Sequence, residues 1–171
     1  MPRLAGRPIR VRFLANPRAV RGSLRSGGSR GEEVHAGAFL RRREIVLDSA
    51  LVARRGELAR ILVHELFHFV WVRAGNPLRR SWEGLLEDEL RHGARGELGW
   101  SAGVRKTRLA PADRKLRTRR WREYACESFC DTAAWMFSGL RRHDEFTLAP
   151  RFRAGRRAWV RSALGGPEIS I

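Results

Sequence analysis

The stretch Glu57–Gly75, ELARILVHELFHFVWVRAG, carries the letters HELFH at positions 64–68, an HExxH motif. Residues four apart lie on one face of a helix, so His64 and His68 can present two imidazole rings to one point. Such a pair suits a zinc ion, which takes neutral imidazole nitrogens at about 2 Å. Glu65 is the adjacent carboxylate that can accept a proton from an activated water. The motif therefore predicts a metal site with His64 and His68 as ligands and Glu65 as the general base.

The remainder of this stretch predicts a buried helix. Its apolar residues recur at spacings of three and four, namely Leu58, Ile61, Leu62, Leu66, Phe69 and Val70. Gly75, Asn76 and Pro77 supply stop signals after it. Polar side chains inside such a helix need partners, and the alternative to a metal is a structural pair of histidines.

The length of 171 residues, 43% hydrophobic content and 6 tryptophans predict one globular domain over 1–171. We expect its core at about 34–140, a basic N-terminal strand and loop at 1–33 and a C-terminal helical extension at 141–171. No apolar run approaches the roughly 18 residues of a membrane span, and the first residues lack a signal-peptide pattern. The sequence thus predicts a cytoplasmic protein with no membrane partner.

A net charge of +17, almost all of it from arginine, marks a strongly basic protein. Modest clusters occur at Arg41–Arg43 and Arg117–Arg122. One interpretation is contact with a polyanion such as nucleic acid, and the other is a codon bias towards arginine. We expect at least non-specific attraction to polyanions, which weakens with salt.

The hydropathy pattern indicates an α+β fold with a small antiparallel or mixed sheet and two long helices. The predicted strands are Ile9–Leu14, Val34–Leu40 and Glu44–Leu47. Asn16–Gly31 and Gly93–Arg117 are predicted to be irregular, with a short helix from Pro111. Besides the HExxH helix, the predicted helices are Ser81–Arg91, Arg119–Leu140 and Ala154–Leu164. Asp48 and Ser49 are predicted to cap a short helical piece at Ala50–Arg54, and the tail GGPEISI is predicted to fray.

A catalytic zinc site has three protein ligands and one open position, so a third ligand is needed. A metzincin-type extension would place histidine at position 74, where Ala74 stands. On the predicted helix from Arg119, however, Glu123, Glu127 and Asp131 recur every four residues among large apolar side chains. Glu127, or its rival Glu123, can bind the metal while the next carboxylate accepts the distal N–H of a ligating histidine. The alternative is a face of carboxylates paired with arginines.

The residues HELFH followed by ESFCD at 127–131 resemble the gluzincin branch of zincin metallopeptidases. Those enzymes combine HExxH with a glutamate in an E-x-x-x-D sequence on a second helix. The segment RREIVLDSAL at 42–51, after a predicted hairpin, is also similar to minimal zincin domains, in which an edge strand borders the active-site cleft. The resemblance covers about residues 34–140.

The resemblance implies a zincin-like fold in which the sheet packs on the HExxH helix and the second long helix. It implies one Zn²⁺ held by His64, His68 and Glu127, with Glu65 as the general base and Asp131 orienting a ligand. The chain is shorter than the larger gluzincins and shows no separate domain carrying their transition-state histidine or tyrosine.

Several other residues are candidates for supporting roles. Tyr124 and His143 are candidates to stabilise an oxyanion. Cys126 and Cys130 are expected to be reduced thiols, with a role near the metal left open. His92 and the acidic cluster Glu87–Glu89 are weaker candidates for the third ligand.

Zinc-dependent hydrolysis of peptide bonds in a peptide or protein substrate is the function that these residues favour. The alternative is a non-catalytic, zinc-stabilised and arginine-rich module that binds nucleic acid. A third hypothesis joins the two as a peptidase directed at nucleic-acid-bound proteins, by analogy with SprT-like proteases. Those use a third histidine, which this sequence does not offer.

Overall fold

The computed structural model describes residues 2–20, 23–27 and 31–171, which form a mixed α+β fold. Its strands in this part of the chain are β1 Leu4–Ala5, β2 Arg10–Leu14, β3 Pro17–Val20, β4 Ser23–Ser26, β5 Glu32–Glu33, β6 Ala36–Phe39, β7 Glu44–Asp48 and β8 Ile169–Ser170. Its helices are α1 Arg55–Arg73, α2 Asn76–Arg91, α3 Trp100–Thr107, α4 Pro111–Lys115, α5 Arg119–Phe137 and α6 Pro150–Ala163. The α+β class predicted from the sequence is confirmed.

A three-stranded mixed sheet in the order β2-β7-β6 precedes the first helix. β2 runs parallel to β7, and β6 runs antiparallel to it with Ala36 opposite Leu47 and Phe39 opposite Glu44. All five residues of β7 are buried, as a short apolar run in a central strand requires. The three predicted strands of this region are thus present, although β6 is shorter than the predicted Val34–Leu40.

The segment Asn16–Gly31, predicted as a loop, instead contributes strands of a second sheet, in the order β4-β3-β5. Residues 21, 22 and 28–30 lie outside the described part. The prediction was wrong for the rest because these strands carry serine, arginine and proline rather than alternating apolar residues. Their register pairs Pro17 with Ser26 and Arg18 with Glu33, so backbone pairing between short polar strands forms the sheet.

Helix α1 begins after a short 3-10 helix at Ser49–Ala53. The backbone N–H of Ala50 in this 3-10 helix donates to the Asp48 carboxylate at 3.0 Å. The predicted cap is therefore present. One face of α1 covers the sheet through Ile61 and Phe69, which pack with Ile45 of β7. This contact fixes α1 on the sheet, while its other faces remain available to the helical half of the molecule.

Helix α5 packs along α1 and forms the main core with it. The Phe67 ring of α1 lies 5.8 Å from that of Phe129 and 5.6 Å from that of Phe137. A fully buried side chain such as Phe67 or Phe129 contributes about 1.5–3 kcal/mol relative to exposure. Gly139, in the left-handed conformation, follows the end of α5 as a glycine after a helix commonly does. The two long helices are therefore held side by side by aromatic packing.

Two other predictions from the sequence are corrected. The connection Gly93–Arg117 contains α3 in addition to the short helix that was predicted from Pro111. The tail is not frayed at its end, because Ile169 is buried and β8 pairs in parallel with β1. None of the helices in the described residues is long and apolar enough to cross a membrane.

Candidate metal centre

The two histidines of the HExxH motif converge as the helical spacing predicts. Their rings are 5.0 Å apart between centroids, and their Nε2 atoms are 3.2 Å apart. Both side chains are largely buried between α1 and α5. Two buried ring nitrogens this close require either a shared proton or a cation between them.

Glu127 of α5 faces the same point from the opposite side. Its Oε2 atom lies 3.3 Å from Nε2 of His64 and 4.0 Å from Nε2 of His68. Ligand atoms bonded to one tetrahedral zinc ion at about 2.0–2.2 Å stand about 3.3–3.5 Å from one another. The three atoms therefore fit the donor set and the spacing of a three-ligand zinc site with little rearrangement.

Asp131, one helical turn after Glu127, fixes the orientation of the first ring. His64 Nδ1–H donates to Oδ1 of Asp131 at 2.7 Å, and the backbone N–H of Ala102 donates to Oδ2 at 3.0 Å. This contact fixes a proton on Nδ1, so Nε2 is the nitrogen that can bind a metal once it has lost its own proton. A Cβ atom at Gly99 would overlap this carboxylate, so the close approach of α3 requires glycine there.

In His68, the ring nitrogen Nδ1 contacts sulfur atoms rather than a carboxylate oxygen. Cys126 Sγ and Cys130 Sγ each lie 3.5 Å from Nδ1 of His68. Both cysteines are free thiols. A hydrogen bond with Cys130 is the largest influence on the pKa of Cys126, which falls to about 6. The two histidines thus differ in their supporting partners, a carboxylate for His64 and a thiol pair for His68.

Arg105 of α3 is the residue that the sequence did not single out. Its Nη2 lies 3.3 Å from Oε1 of Glu127, and its Nη1 donates to the carbonyl and hydroxyl oxygens of Ser101. The side chain is 35% exposed, so it lies at the edge of the cluster rather than within it. No spacing rule could have found it, because arginines are frequent in this chain and α3 was not predicted.

Electrostatics in the cluster favour positive charge. Burial lowers the pKa of His64, but Asp131 and Glu127 outweigh it and raise that pKa well above its ordinary value. Burial raises the pKa of Glu127, yet the contacts with His64 and His68 lower it to about 2. The carboxylates therefore stabilise a cation at this point, and metal binding would displace protons from the rings.

Glu65 is largely buried beside the cluster. Burial is the largest influence on the pKa of each histidine and lowers it, while the Glu65 carboxylate acts in the opposite direction on both rings. Glu65 directly follows His64 on α1, which places it beside the two histidines. Glu65 is not among the residues whose ligand atoms converge with those of Glu127.

Two of the candidate site residues lie elsewhere. Glu123, the rival third ligand, has a side chain 45% exposed and pairs with Arg119 at 2.7 Å. Tyr124 is fully buried, and its hydroxyl donates to Glu97 at 2.6 Å. It is thus turned to a different face of α5, where a substrate oxyanion has no access.

His143, the other candidate for oxyanion stabilisation, joins a second group. Its Nε2 lies 3.0 Å from Oε2 of Glu57, and Glu145 completes the cluster. Arg60 pairs with both carboxylates, with Nη1 at 2.9 Å from Glu145. A protein cation already occupies this group, so it does not call for a metal.

The weaker candidates for the third ligand, His92 and Glu89, contact other groups. His92 is exposed, with Nδ1 2.8 Å from the Asp88 carbonyl. Glu89 is buried and accepts hydrogen bonds from Arg156. Neither belongs to the groups that could hold a metal in the described residues.

Comparisons of the chain with models of known protein families, with curated proteins and with solved structures find no match. The chemistry of the site is therefore inferred from its residues.

Proposed function

We propose that the protein is a zinc-dependent metallopeptidase of the gluzincin type. The observation that carries this proposal is the convergence of Nε2 of His64, Nε2 of His68 and Oε2 of Glu127. Asp131, hydrogen-bonded to His64, supports it further. An open side of the ion would be left for water and substrate, as in catalytic zinc sites.

The arrangement of elements agrees with a zincin-like fold. The proposed active-site helix α1 packs on the mixed sheet through Ile61 and Phe69, and on α5 through Phe67. Because the metal ligands come from α1 and α5, bound zinc would also join two helices that are distant in sequence. This feature predicts that metal removal lowers stability as well as activity.

When bound, a zinc ion supplies Lewis acidity that acidifies a water and polarises a carbonyl group. Glu65 then accepts the proton of the attacking water and passes it to the leaving amine. Asp131 keeps the His64 ring in the tautomer with its proton on Nδ1. Arg105 neutralises the free oxygen of Glu127 and limits the repulsion between that carboxylate and developing negative charge.

The edge strand β6 offers a place for an extended peptide. Within the described residues β6 pairs only with β7, and the Asp48 N–H donates to the His35 carbonyl at 2.8 Å. In an antiparallel ladder the paired residues alternate, so the backbone N–H and C=O of Ala36 and Ala38 point away from β7. A substrate strand would add there by main-chain hydrogen bonds.

The test is the variant Glu65→Gln, assayed for cleavage of a peptide library by mass spectrometry. Peptidase activity should fall by about 10²- to 10⁴-fold, because the general base is lost. Zinc content should stay at the wild-type level, because Glu65 is not a ligand. The matched control is Glu123→Gln, an exposed position on α5, which should keep full activity.

Full activity of Glu65→Gln would contradict the proposed mechanism. Wild-type cleavage that persists in excess chelator, with zinc removed as shown by elemental analysis, would contradict the proposed zinc dependence.

A further inference from the structure

The proposed peptidase mechanism makes no use of the thiol pair on α5. Cys126 and Cys130 stand one helical turn apart, and both sulfur atoms lie 3.5 Å from Nδ1 of His68. The three ligand atoms lie within 4.8 Å of one another. Cys130 is fully buried, whereas Cys126 is partly exposed. The group is thus a compact set of soft donors with access from one side.

Hydrogen bonding alone accounts poorly for this arrangement. A single ring nitrogen donates or accepts one hydrogen bond, yet two sulfur atoms stand at the same distance from Nδ1 of His68. For a tetrahedral ion with Zn–S near 2.3 Å and Zn–N near 2.0–2.1 Å, the expected S···N separation is about 3.5–3.6 Å. Both observed distances have this value.

We propose that Cys126, Cys130 and Nδ1 of His68 form a second metal site, for a thiophilic d10 ion such as Zn²⁺, Cd²⁺ or Cu⁺. Thiolate ligands select such ions over hard ones. The site is distinct from the group of His64, Nε2 of His68 and Glu127, and it does not depend on peptidase activity.

The two sites share His68, which offers one nitrogen to each. An ion at this site binds the two sulfur atoms as thiolates and takes the place of the Nδ1 proton, so its binding releases protons. With both sites filled, the imidazole would bridge two ions. Occupation of the thiol site therefore changes the electron density that His68 supplies to the first ion, which couples the two sites.

Titration with Cd²⁺ distinguishes the two metal sites, because Cd²⁺–thiolate bonds absorb in the ultraviolet and Cd²⁺ bonds to nitrogen and oxygen do not. The wild-type chain, titrated with Cd²⁺ under reducing conditions, should bind two ions and develop thiolate absorption. The double variant Cys126→Ala, Cys130→Ala should bind one ion without that absorption. Glu127→Gln should lose the other ion and keep the absorption.

The single variant Cys126→Ala tests the thiol site even if the double variant fails to fold. It should fold normally, because Cys126 is partly exposed and alanine favours helix. It should lose at least half of the thiolate absorption while its circular dichroism stays that of wild type.

Absence of thiolate absorption in wild type, or equal absorption in the double variant, would overturn the second site. Retention of two ions by Glu127→Gln would instead count against the first site and the proposed function, and leave the thiol site standing.

Discussion

Helix α5 borders two buried polar groups that differ in where their positive charge comes from. One face carries Tyr124, Ser128 and Thr132, which join a network around Arg156. A neighbouring face carries Glu127 and Asp131, which meet the histidines of α1. Both groups combine carboxylates with apolar surroundings, so each must find compensation for buried charge.

The network around Arg156 contains its own cations. Arg156 is 0% exposed and donates to Glu89 and Glu97, each at 2.7 Å. Lys106 adds a contact with Glu97 at 3.1 Å. Two carboxylates thus face two cations, and their hydrogen bonds link α6, α2, α3 and α5. This group is complete with protein atoms alone.

The group around His64 and His68 has no arginine or lysine at its centre in the described residues, so its positive charge comes from protonated histidines or from a bound cation. Its nitrogen and oxygen atoms point at one another, and Arg105 reaches only the outer oxygen of Glu127. The raised pKa of His64, which Asp131 produces against the effect of burial, shows that this environment favours a cation. The difference teaches that buried polarity alone does not indicate a metal, because the Arg156 network carries a permanent guanidinium charge, whereas the proposed metal site becomes cationic only by protonation of its histidines or by binding an ion.

The largest expected effect is a loss of stability when the network around Arg156 is broken. Arg156→Met leaves Glu89 and Glu97 without their buried cation and should lower the free energy of unfolding by about 3–5 kcal/mol. Arg157→Met is the matched control on α6. Its exposed guanidinium lies 4.8 Å above the Trp135 ring, and its loss should cost less than about 1 kcal/mol. Urea denaturation measures both, and similar values for the two variants would remove the distinction.

Glu97 should make the stability of the protein depend on pH in the acid range, which is a smaller effect. Burial raises the pKa of Glu97, but Arg156 outweighs it and lowers the value from 4.5 to about 2. Because the folded pKa is depressed, this contribution is present above about pH 4.5 and is lost as the pH falls towards 2. It amounts to stability on the order of 3 kcal/mol. Denaturation in chelator should show a flatter pH dependence for Glu97→Gln than for wild type in that window, and equal slopes would contradict the assignment.

The smallest of these effects is on zinc affinity, when the Asp131 carboxylate that accepts the His64 proton is removed. Asp131→Asn removes the charge that accepts the proton of His64 and should weaken zinc binding by about 10- to 100-fold. Competition with a zinc-binding dye measures this change. An unchanged zinc affinity would make Asp131 a structural partner of α3 only.

The sequence predicted what depends on helical spacing. His64, Glu65 and His68 on one helix, with Glu127 and Asp131 four apart on another, follow from a local period that tertiary packing did not disturb. The central strand β7 was predicted for a similar reason, since its apolar run is continuous.

What the sequence missed depends on long-range pairing. Arg156 and Arg105 have the same local character as the other arginines of the chain, and only packing brings one to Glu97 and the other to Glu127. Glu123 was a candidate ligand because it stands four residues before Glu127, and Tyr124 was a candidate to stabilise an oxyanion. Glu123 shares the face of Glu127 but lies one turn nearer the start of α5, where its side chain pairs with Arg119, whereas Tyr124 points to the neighbouring face and donates to Glu97.

Zinc content is the most direct test of the central claim that His64, His68 and Glu127 hold one ion. Elemental analysis after dialysis against buffered zinc should find one ion fewer per chain in Glu127→Ala than in wild type. Glu123→Ala, on the same helix, should keep the wild-type content. Equal zinc in Glu127→Ala and wild type at every free zinc concentration would contradict the claim and place the third ligand elsewhere.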